Sequence, residues 1–584
     1  MTTGNVRTRA GHPLWRVEVP VALGILAATA MLYGFVFNRE TTLSYSIGYN
    51  LYGAERILEG QIPYRDFHTL YPPATLYVNA ALFKVAGIYL ITALAGVLVF
   101  KVLTSVVVYC SARSVMPLSW AVPAWALSVI WLRPNGPFKA VPMHYGALFL
   151  AGALWLLLRF GENKRRAMRG RALRCAAAAG VSLGLVALFK HNIGAYALVG
   201  SVGLLALEPL ETGVRFNRAA IHQAMPHICA LLGGFAVPLT PVVLYFMNRH
   251  ALGMMVKTLL FGPGEFLASR LAAAPSPLFA LAFVMAVSAA VYAAYRLRER
   301  RKLALAVIAT SVAVAAGVAG FSPQRLVDSL IFYVPVILFA GTLVCAAAVR
   351  SIPPAARWSI LAFFVFAAAA FLESLPRFAR EQVIAAMPFV AVMLVAIIYH
   401  LNPRLERTFG TGARAKLATA LIPLVVVLIA ARLLAVTYFA GGFRFRSDTL
   451  LSVERGRGVY FPRMEAGEID QVVNLIQQRV PGNGYFFAHS YAGSAYLFLA
   501  DRRNPSGAQF WRGVGVSTAE QGRTLSSLEE NRVAVVITSE VDLAAEKYEP
   551  MRDYLAQNFR TAATVGDVLI LERKTSEGDA GVRY

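Results

Sequence analysis

The chain has 584 residues, of which 57% are hydrophobic and only 15% are charged. So apolar a composition excludes an ordinary soluble globular protein. The formal net charge of +24 is carried by the residues before Tyr438, because the remainder has 17 basic and 18 acidic residues. The basic excess therefore belongs to the loops of an apolar region, which removes the main support for a nucleic-acid-binding role.

Apolar windows of about 18 to 20 residues recur up to residue 437, and this is the length that a helix needs to cross about 30 Å of hydrocarbon. They predict a polytopic α-helical membrane protein with about thirteen transmembrane helices. The first apolar run is too long for a signal-peptide core, so we expect it to be retained as a span. The predicted spans are 17–37, 89–110, 117–133, 143–160, 173–189, 193–208, 226–248, 276–295, 303–320, 328–349, 357–373, 383–400 and 417–437.

The basic residues of the loops predict the orientation of the chain. With a cytoplasmic N-terminus, the cytoplasmic segments contain 24 Lys and Arg residues, against 12 in the external loops. This asymmetry agrees with the positive-inside rule. An odd number of spans then divides the chain into a transmembrane domain, 1–437, and an extracytoplasmic C-terminal domain, 438–584.

The first external loop, 38–88, is the longest polar-to-amphipathic stretch of the membrane region. Its apolar residues at positions 51, 54, 57 and 58 recur at helical spacing, whereas Glu55, Arg56 and Glu59 fall on the opposite face. This pattern is typical of a helix that lies in the membrane interface with its charged face in water.

The residues that follow predict a turn. Gly60 is suited to end the first helix of the loop, and Pro73 is suited to open the next one. Asp66 is then presented in the turn between the two helices, close to the membrane surface. An Asp in such a turn either caps the backbone or carries chemistry, and the spacing leaves both open.

The turn also contains a recognisable motif. It reads Gly60-x-x-Pro63-Tyr64-Arg65-Asp66-Phe67, followed by Tyr71-Pro72-Pro73. This motif resembles the first external loop of GT-C membrane glycosyltransferases of the protein O-mannosyltransferase and aminoarabinose transferase type. The number of spans and the external C-terminal α/β domain are similar as well.

The resemblance implies transfer of a sugar, with inversion, from a polyprenyl-phosphate-linked donor to a glycan, lipid or protein acceptor. The reaction would take place at the external face of a bacterial plasma membrane. The partners implied are the lipid-linked donor, the acceptor and membrane lipids, without nucleic acid. No cofactor is implied beyond the donor. Metal dependence stays open, although no cluster of external carboxylates resembles a metal site.

The family places its catalytic base, a carboxylate, in this first loop. Members commonly have Asp, often followed by Glu, about 15 residues before the glycine that corresponds to Gly60, where this chain has Ser44-Tyr45-Ser46. The nearest carboxylates are Glu40 upstream and Asp66 downstream; either is a candidate base, and the sequence favours Asp66 over Glu40. The neighbouring His68 and Tyr71 are candidate substrate-binding residues, and a solvated loop histidine is the plainer interpretation of His68.

Cations in other external loops are candidates for binding the lipid phosphate, whose charge develops as it leaves. Lys190 and His191 lie between two apolar runs, where a charge is costly unless it reaches water or meets an anion. Three arginines in further external loops could form a fork on the same phosphate. They are Arg325, Arg377 and Arg380. The long loop 249–275 is either a mobile cover over the site or a short re-entrant or amphipathic helix.

The C-terminal domain reads as a small α/β unit. A helical pattern at 466–479 leads into a strand near 485–488, and further strands are predicted at 533–538 and 568–571. It contains no phosphate-binding glycine loop, metal-ligand spacing or nucleophile elbow. A supporting or acceptor-binding role is therefore favoured over a catalytic one.

The leading interpretation is a GT-C-type glycosyltransferase with an external active site. A transporter or flippase of lipid-linked sugars is the main alternative, although internal repeats and broken, charged mid-span segments are not seen in the sequence. A catalytically silent assembly subunit is the third interpretation, because the Asp-Glu pair of the family is missing.

Overall fold

A computed structural model describes most of the chain. The described residues are 15–40, 42–132, 139–211, 218–268, 354–375, 385–409, 448–490, 492–507, 518–544 and 549–574, with a few isolated positions between 278 and 383. The predicted spans 276–295, 303–320 and 328–349 lie almost entirely outside these residues, and span 417–437 lies wholly outside them. The described helices therefore do not fix the total number of spans.

The membrane region is helical wherever it is described. Each predicted span within the described ranges corresponds to a helix, and four helices, α4, α6, α7 and most of α9, are long and apolar enough to cross a membrane. The protein is a helical membrane protein. Its helices here are α1 (Trp15–Gly34), α2 (Tyr45–Leu58), α3 (Ala74–Ala86), α4 (Leu90–Val115), α5 (Leu118–Leu132), α6 (Pro142–Arg165), α7 (Arg169–Phe189), α8 (His191–Glu211), α9 (Arg218–Asn248), α10 (Leu252–Ala268), α11 (Pro354–Leu372) and α12 (Met387–Phe409).

Glycines allow the central membrane helices to approach closely. Gly180 and Gly184 of α7 face the backbone of α9, and a Cβ at either position would overlap carbonyl groups of that helix. Gly234 of α9 faces the backbone of α7 in the same way. Small residues at helix contacts are typical of membrane proteins, because lipid provides no hydrophobic force between helices and close packing must hold them together.

The C-terminal region combines a sheet with flanking helices. Strands β3, β4, β6 and β5 are neighbours in that order, with β3 parallel to β4 and the other pairs antiparallel. The predicted helix and the three predicted strands are all present. The elements are β1 (Asp448–Leu450), a 3-10 turn (Glu454–Gly456), β2 (Tyr460–Pro462), α13 (Arg463–Arg479), β3 (Phe487–His489), α14 (Gly493–Ala500), α15 (Thr518–Glu530), β4 (Val535–Thr538), α16 (Glu540–Leu543), α17 (Glu549–Asn558), β5 (Phe559–Val565) and β6 (Val568–Arg573).

The first loop and the C-terminal region share one hydrophobic core. Leu51 of α2 and Phe83 of α3 belong to the same buried cluster as Val472 of α13 and Phe498 of α14, and the rings of Phe83 and Phe498 stack 5.7 Å apart. The backbone continues this contact, because the segment after α1 pairs with β2. The amide of Glu40 donates to the Tyr460 carbonyl at 2.8 Å, and the Tyr460 amide donates to the Asn38 carbonyl at 2.8 Å.

Helix α2 is therefore buried on both sides, and the expectation that its charged face lies in water is wrong. Glu55 and Arg56 are only 8% and 6% exposed. The C-terminal region covers that face: Arg455 forms an ion pair with Glu55 at 2.7 Å, and the Ser506 carbonyl accepts a hydrogen bond from Arg56 at 3.3 Å. The residues near Glu55 give no sign of this cover, because its ion-pair partner Arg455 lies about 400 residues further along the chain.

Candidate functional site

The turn around Asp66 is built by local hydrogen bonds. Gly60 adopts a positive φ of 86° after α2 ends, which glycine tolerates without steric cost. The Asp66 carboxylate then accepts a hydrogen bond from the Ile62 amide at 2.7 Å and a forked pair from Arg65 at 2.8 and 2.9 Å. The Asp66 amide donates back to the Ile62 carbonyl at 2.9 Å. Asp66 is thus the residue that closes this turn.

The same contacts reduce the basicity of Asp66. The hydrogen bonds from Arg65 hold the pKa of the Asp66 carboxyl below its usual range, and the bond from the Ile62 amide acts in the same direction. A carboxylate that is stabilised in its charged form is a weaker proton acceptor. Its side chain is 30% exposed, so it also remains open to solvent.

Glu40 has the opposite environment. It lies six residues after the end of α1, is 2% exposed, and neither of its carboxylate oxygens has a hydrogen-bond partner among the described residues. Burial raises the pKa of Glu40 well above its usual range, and the charge of Lys139 opposes this shift. A buried, unpaired carboxylate is costly, so such groups are found where chemistry requires a perturbed pKa more often than where only packing is needed.

His68 and Tyr71 lie on the far side of the turn and have different surroundings. The His68 amide donates to the Gly507 carbonyl of the C-terminal region at 3.0 Å, and burial lowers the pKa of the His68 imidazole. The Tyr71 carbonyl accepts a hydrogen bond from the Tyr64 hydroxyl at 2.7 Å. The ring of Tyr71 faces Lys190.

Lys190 lies at the hairpin between α7 and α8 and contacts two groups of the protein. Its ammonium is 4.6 Å from the centre of the Tyr71 ring and 2.6 Å from the Glu373 carboxylate. The other Glu373 oxygen accepts a hydrogen bond from the Asn192 amide at 2.7 Å. His191 begins α8 beside this group, with its Nδ1 buried. The anion that neutralises Lys190 in this structure is therefore a carboxylate of the protein.

Glu373 was not singled out from the sequence. The available signal was a lone carboxylate directly after the apolar helix α11, where a charge needs a partner. Its side chain is only 3% exposed, and its partners lie some 180 residues earlier in the chain. The three candidate arginines, Arg325, Arg377 and Arg380, lie outside the described residues.

Glu40 and Lys190 are both connected to the start of α6. Lys139 precedes α6, and its positive charge opposes the rise in the pKa of Glu40. The Lys139 carbonyl oxygen lies 2.7 Å from His144 Nδ1. Tyr145, the next residue of α6, stacks on Phe189 at 5.9 Å between ring centres, and Phe189 directly precedes Lys190. The buried carboxylate and the buried lysine thus belong to the same end of the helix bundle.

An apolar cavity of about 260 Å³ lies beside the Lys190 group. Pro73 and Leu188 line it, and they are two residues from Tyr71 and Lys190 respectively. Its other walls come from α3 and α9, including Tyr77 and Phe246. Tyr71 and Lys190 are not among the lining residues, so the cation lies close to the cavity along the chain but not in its wall.

A second cavity, of about 400 Å³, lies between the first loop and the C-terminal region. Arg56, Glu59 and Asp66 line it on the side of the loop, and Tyr485 and Arg503 on the other side. Asp66, the candidate base, opens into this cavity. The two cavities differ in character, because the first is lined almost entirely by apolar groups and this one by charged and polar side chains.

The loop 249–275 contains α10, so the helical interpretation of this segment is the one that the described residues support. Within those residues, no group of three or more His, Cys, Asp or Glu side chains is arranged to hold a metal ion.

No family model and no curated protein sequence matches the chain. Among solved structures, it is similar to the Archaeoglobus fulgidus oligosaccharyltransferase in the apo form, with a TM-score of 0.49 and 12% identity over 96% of this chain and 75% of the other. It is also similar to AglB of the same organism in complex with an inhibitory peptide and a dolichol-phosphate, with a TM-score of 0.47 and 13% identity over 98% and 76%. A third is ArnT from Cupriavidus metallidurans bound to undecaprenyl phosphate, with a TM-score of 0.38 and 14% identity over 96% and 98%. These neighbours are membrane glycosyltransferases of the GT-C superfamily. Since the similarity is this distant, we base the function of the chain on its own residues.

Proposed function

We propose that the protein transfers a sugar from a polyprenyl-phosphate-linked donor to an acceptor at the external face of the membrane. The observation that supports this best is that Lys190 and Tyr71 contact each other two residues from Leu188 and Pro73, which line the apolar cavity. A lipid phosphate has one anionic group and a long apolar chain, and it needs a cation next to an apolar surface. Tyr71 also belongs to the motif that resembles the first loop of GT-C transferases.

In this proposal the pair of Lys190 and Glu373 prepares the phosphate site. Glu373 and Tyr71 fix the position of the ammonium, which has three N–H donors and can still donate to a phosphate oxygen. When the bond between the sugar and the phosphate breaks, the lipid phosphate leaves with the electron pair and gains negative charge. A positioned cation stabilises that charge as it develops. Arg325, Arg377 and Arg380 remain proposed additional cations.

We favour Glu40 over Asp66 as the general base. The acceptor hydroxyl would donate the hydrogen bond that both oxygens of Glu40 lack, transfer its proton to Glu40 and attack the sugar carbon from the face opposite the phosphate. The raised pKa of Glu40 suits a base that works near neutral pH. Asp66, which is held by Ile62 and Arg65, is assigned to the turn. Glu40 is 2% exposed, so the proposal requires that it becomes accessible when the acceptor binds.

The test is transfer of radiolabelled sugar from a panel of polyprenyl-phosphate donors in proteoliposomes that contain the purified protein. We expect Glu40→Gln to lose at least about 100-fold in rate, as is typical for loss of a general base. Asp66→Asn keeps an oxygen that can accept from the Ile62 amide and is expected to keep most of the activity. Full activity of Glu40→Gln would remove Glu40 as the base. Movement of the donor across the bilayer without any sugar transfer would indicate a flippase instead.

A further inference from the structure

The polar cavity between the first loop and the C-terminal region is separate from the Lys190 group and is not used by the proposed chemistry. Its walls are fixed by hydrogen bonds across the two regions. The backbone N–H of Asn504 donates to the Tyr52 hydroxyl at 2.7 Å, and the Arg56 side chain donates to the carbonyls of Ser506 and Asp66 at 3.3 Å each. Arg56 also stacks over the Phe67 ring at 4.8 Å. The cavity is therefore preformed, and a ligand would not have to order it on binding.

The charges at the cavity balance. Arg56 and Arg503 contribute two positive charges, and Glu59 and Asp66 contribute two negative ones. Arg503 and Glu59 are 3.6 Å apart with 47% and 33% of their side chains exposed, so their contact with each other is weak. A phosphate or carboxylate ligand would meet the two carboxylates, and a cationic ligand would meet the two arginines. The balance favours a neutral ligand.

The hydrogen-bonding groups of the cavity are mixed as well. The side-chain amides of Gln61, Asn504 and Asn531 add both donors and acceptors to the carboxylates and guanidinium groups of the lining. An apolar ligand would leave these groups without water or partners, which is costly. A hydroxyl group is both a donor and an acceptor, so a ligand with several hydroxyls can satisfy such a lining. The half-buried ring of Tyr485 adds an apolar face on one side.

We propose that this cavity binds a neutral saccharide, and that this saccharide is a part of the acceptor remote from the reacting hydroxyl, because neither Glu40 nor Lys190 lines the cavity. The volume of about 400 Å³ falls within the usual range for small-molecule sites, about 300 to 1,000 Å³. The second part of the inference rests on the proposed transferase function, whereas the binding of saccharide does not. The cavity is formed jointly by the first loop and the C-terminal region, so the C-terminal region contributes half of the acceptor site.

The test uses the full chain in lipid nanodiscs on an array of several hundred neutral, acidic and amino oligosaccharides, followed by calorimetric titration of the best neutral binder. Two lining variants, Arg503→Ala and Asn531→Ala, are compared with Arg560→Ala. Arg560 is exposed on β5, the edge strand of the same sheet farthest from β3. We expect each lining variant to weaken binding about tenfold or more, the usual effect of losing a hydrogen bond with a charged or buried partner. Arg560→Ala should bind like the wild type.

Absence of binding to every neutral oligosaccharide, or equal binding by wild type and both lining variants, overturns the inference. Preferential binding of acidic glycans overturns it as well. Donor consumption by the wild type is measured separately. If saccharide binds at the cavity but no polyprenyl-phosphate donor is consumed, the transferase proposal fails and the binding site stands. If donor is consumed with a non-saccharide acceptor and no saccharide binds, only the acceptor inference fails.

Discussion

Arg455 of the C-terminal region and Glu55 of the first loop form an ion pair at 2.7 Å, with only 12% and 10% of their side chains exposed. Arg455 also pairs with Asp501 and donates to the Phe498 carbonyl at 2.9 Å. One guanidinium thus joins the first loop, the 3-10 turn and the end of α14. Burial raises the pKa of Glu55, and the hydrogen bond from Arg455 counteracts this shift.

Replacing Arg455 by Met should separate the two regions. The substitution leaves Glu55 buried without its cation, and breaking a buried pair in this way typically costs about 3–5 kcal/mol. We expect a lower unfolding temperature and faster cleavage of the C-terminal region in limited proteolysis. Arg552→Met is the matched control, because Arg552 and Glu549 are 40% and 67% exposed and such surface pairs contribute about 0–1 kcal/mol. Equal rates of proteolysis of the two variants would contradict the inference that Arg455 holds the C-terminal region on the first loop.

Glu40→Gln should increase stability while it reduces activity. Because burial raises the folded-state pKa of Glu40 above its unfolded value near 4.5, the folded state binds the proton more tightly. The stability that this provides is fully present below the unfolded pKa and is lost as the pH rises through the folded pKa. The neutral amide avoids that loss, so the gain in unfolding temperature should appear near pH 8 and vanish near pH 4.

The measurement is thermal unfolding of both proteins across this pH range, with Glu530→Gln as the control on an exposed carboxylate of α15. The control should follow the wild type at every pH. A pH-independent difference between wild type and Glu40→Gln would show that Glu40 does not titrate as inferred.

Lys190 and Glu373 should behave as a coupled pair. Lys190→Met alone leaves a buried carboxylate unpaired and is expected to destabilise the protein by about 3–5 kcal/mol. The double variant Lys190→Met, Glu373→Met removes both charges and should recover most of that stability. Binding of polyprenyl phosphate should nevertheless be lost in both variants, because the cation is absent from each. Lipid-phosphate affinity equal to the wild type in the double variant would exclude Lys190 from the phosphate site.

Gly48 should not accept a side chain. A Cβ at this position in α2 would overlap the backbone of Ser494 and Ala495 in α14, so Gly48→Ala must push the two helices apart. We expect a loss of about 2 kcal/mol or more, in the range for overpacking of a buried contact. Gly467→Ala is the control, since nothing lies within 4 Å of a Cβ there and Ala favours a helix by about 1 kcal/mol. Thermal unfolding should therefore move in opposite directions for the two variants.

Features set by nearby residues were predictable from the sequence. Lipid requires long apolar helices, so apolar windows alone placed α1, α4 and α7 within about five residues of their ends. Helix α9 begins eight residues before the predicted span, and α12 ends nine residues after it. The turn from Gly60 to Pro73 was partly predictable, because the hydrogen bonds of Asp66 join residues close in the chain, whereas the His68 amide donates to the distant Gly507 carbonyl.

Features set by distant residues were not predictable. Nothing near Glu55 and Arg56 indicates that Arg455 and Ser506 cover them, and a charged helix face is usually solvated. Glu373 and Lys190 form one group only after α7, α8 and α11 have packed. The pairing of residues 38–40 with Tyr460 likewise joins positions more than 400 residues apart.

The core that the first loop shares with the C-terminal region has a consequence for biogenesis. The loop is synthesised early, but the residues that cover it are synthesised about 400 residues later. Until Phe498 and Arg455 have left the ribosome and folded, Leu51 remains without its apolar neighbours and Glu55 without its counterion. Contacts so distant in sequence form slowly. The core can therefore be completed only after the C-terminal region has been synthesised, and a chain that terminates before Arg455 leaves the apolar surface of the first loop uncovered and prone to aggregation.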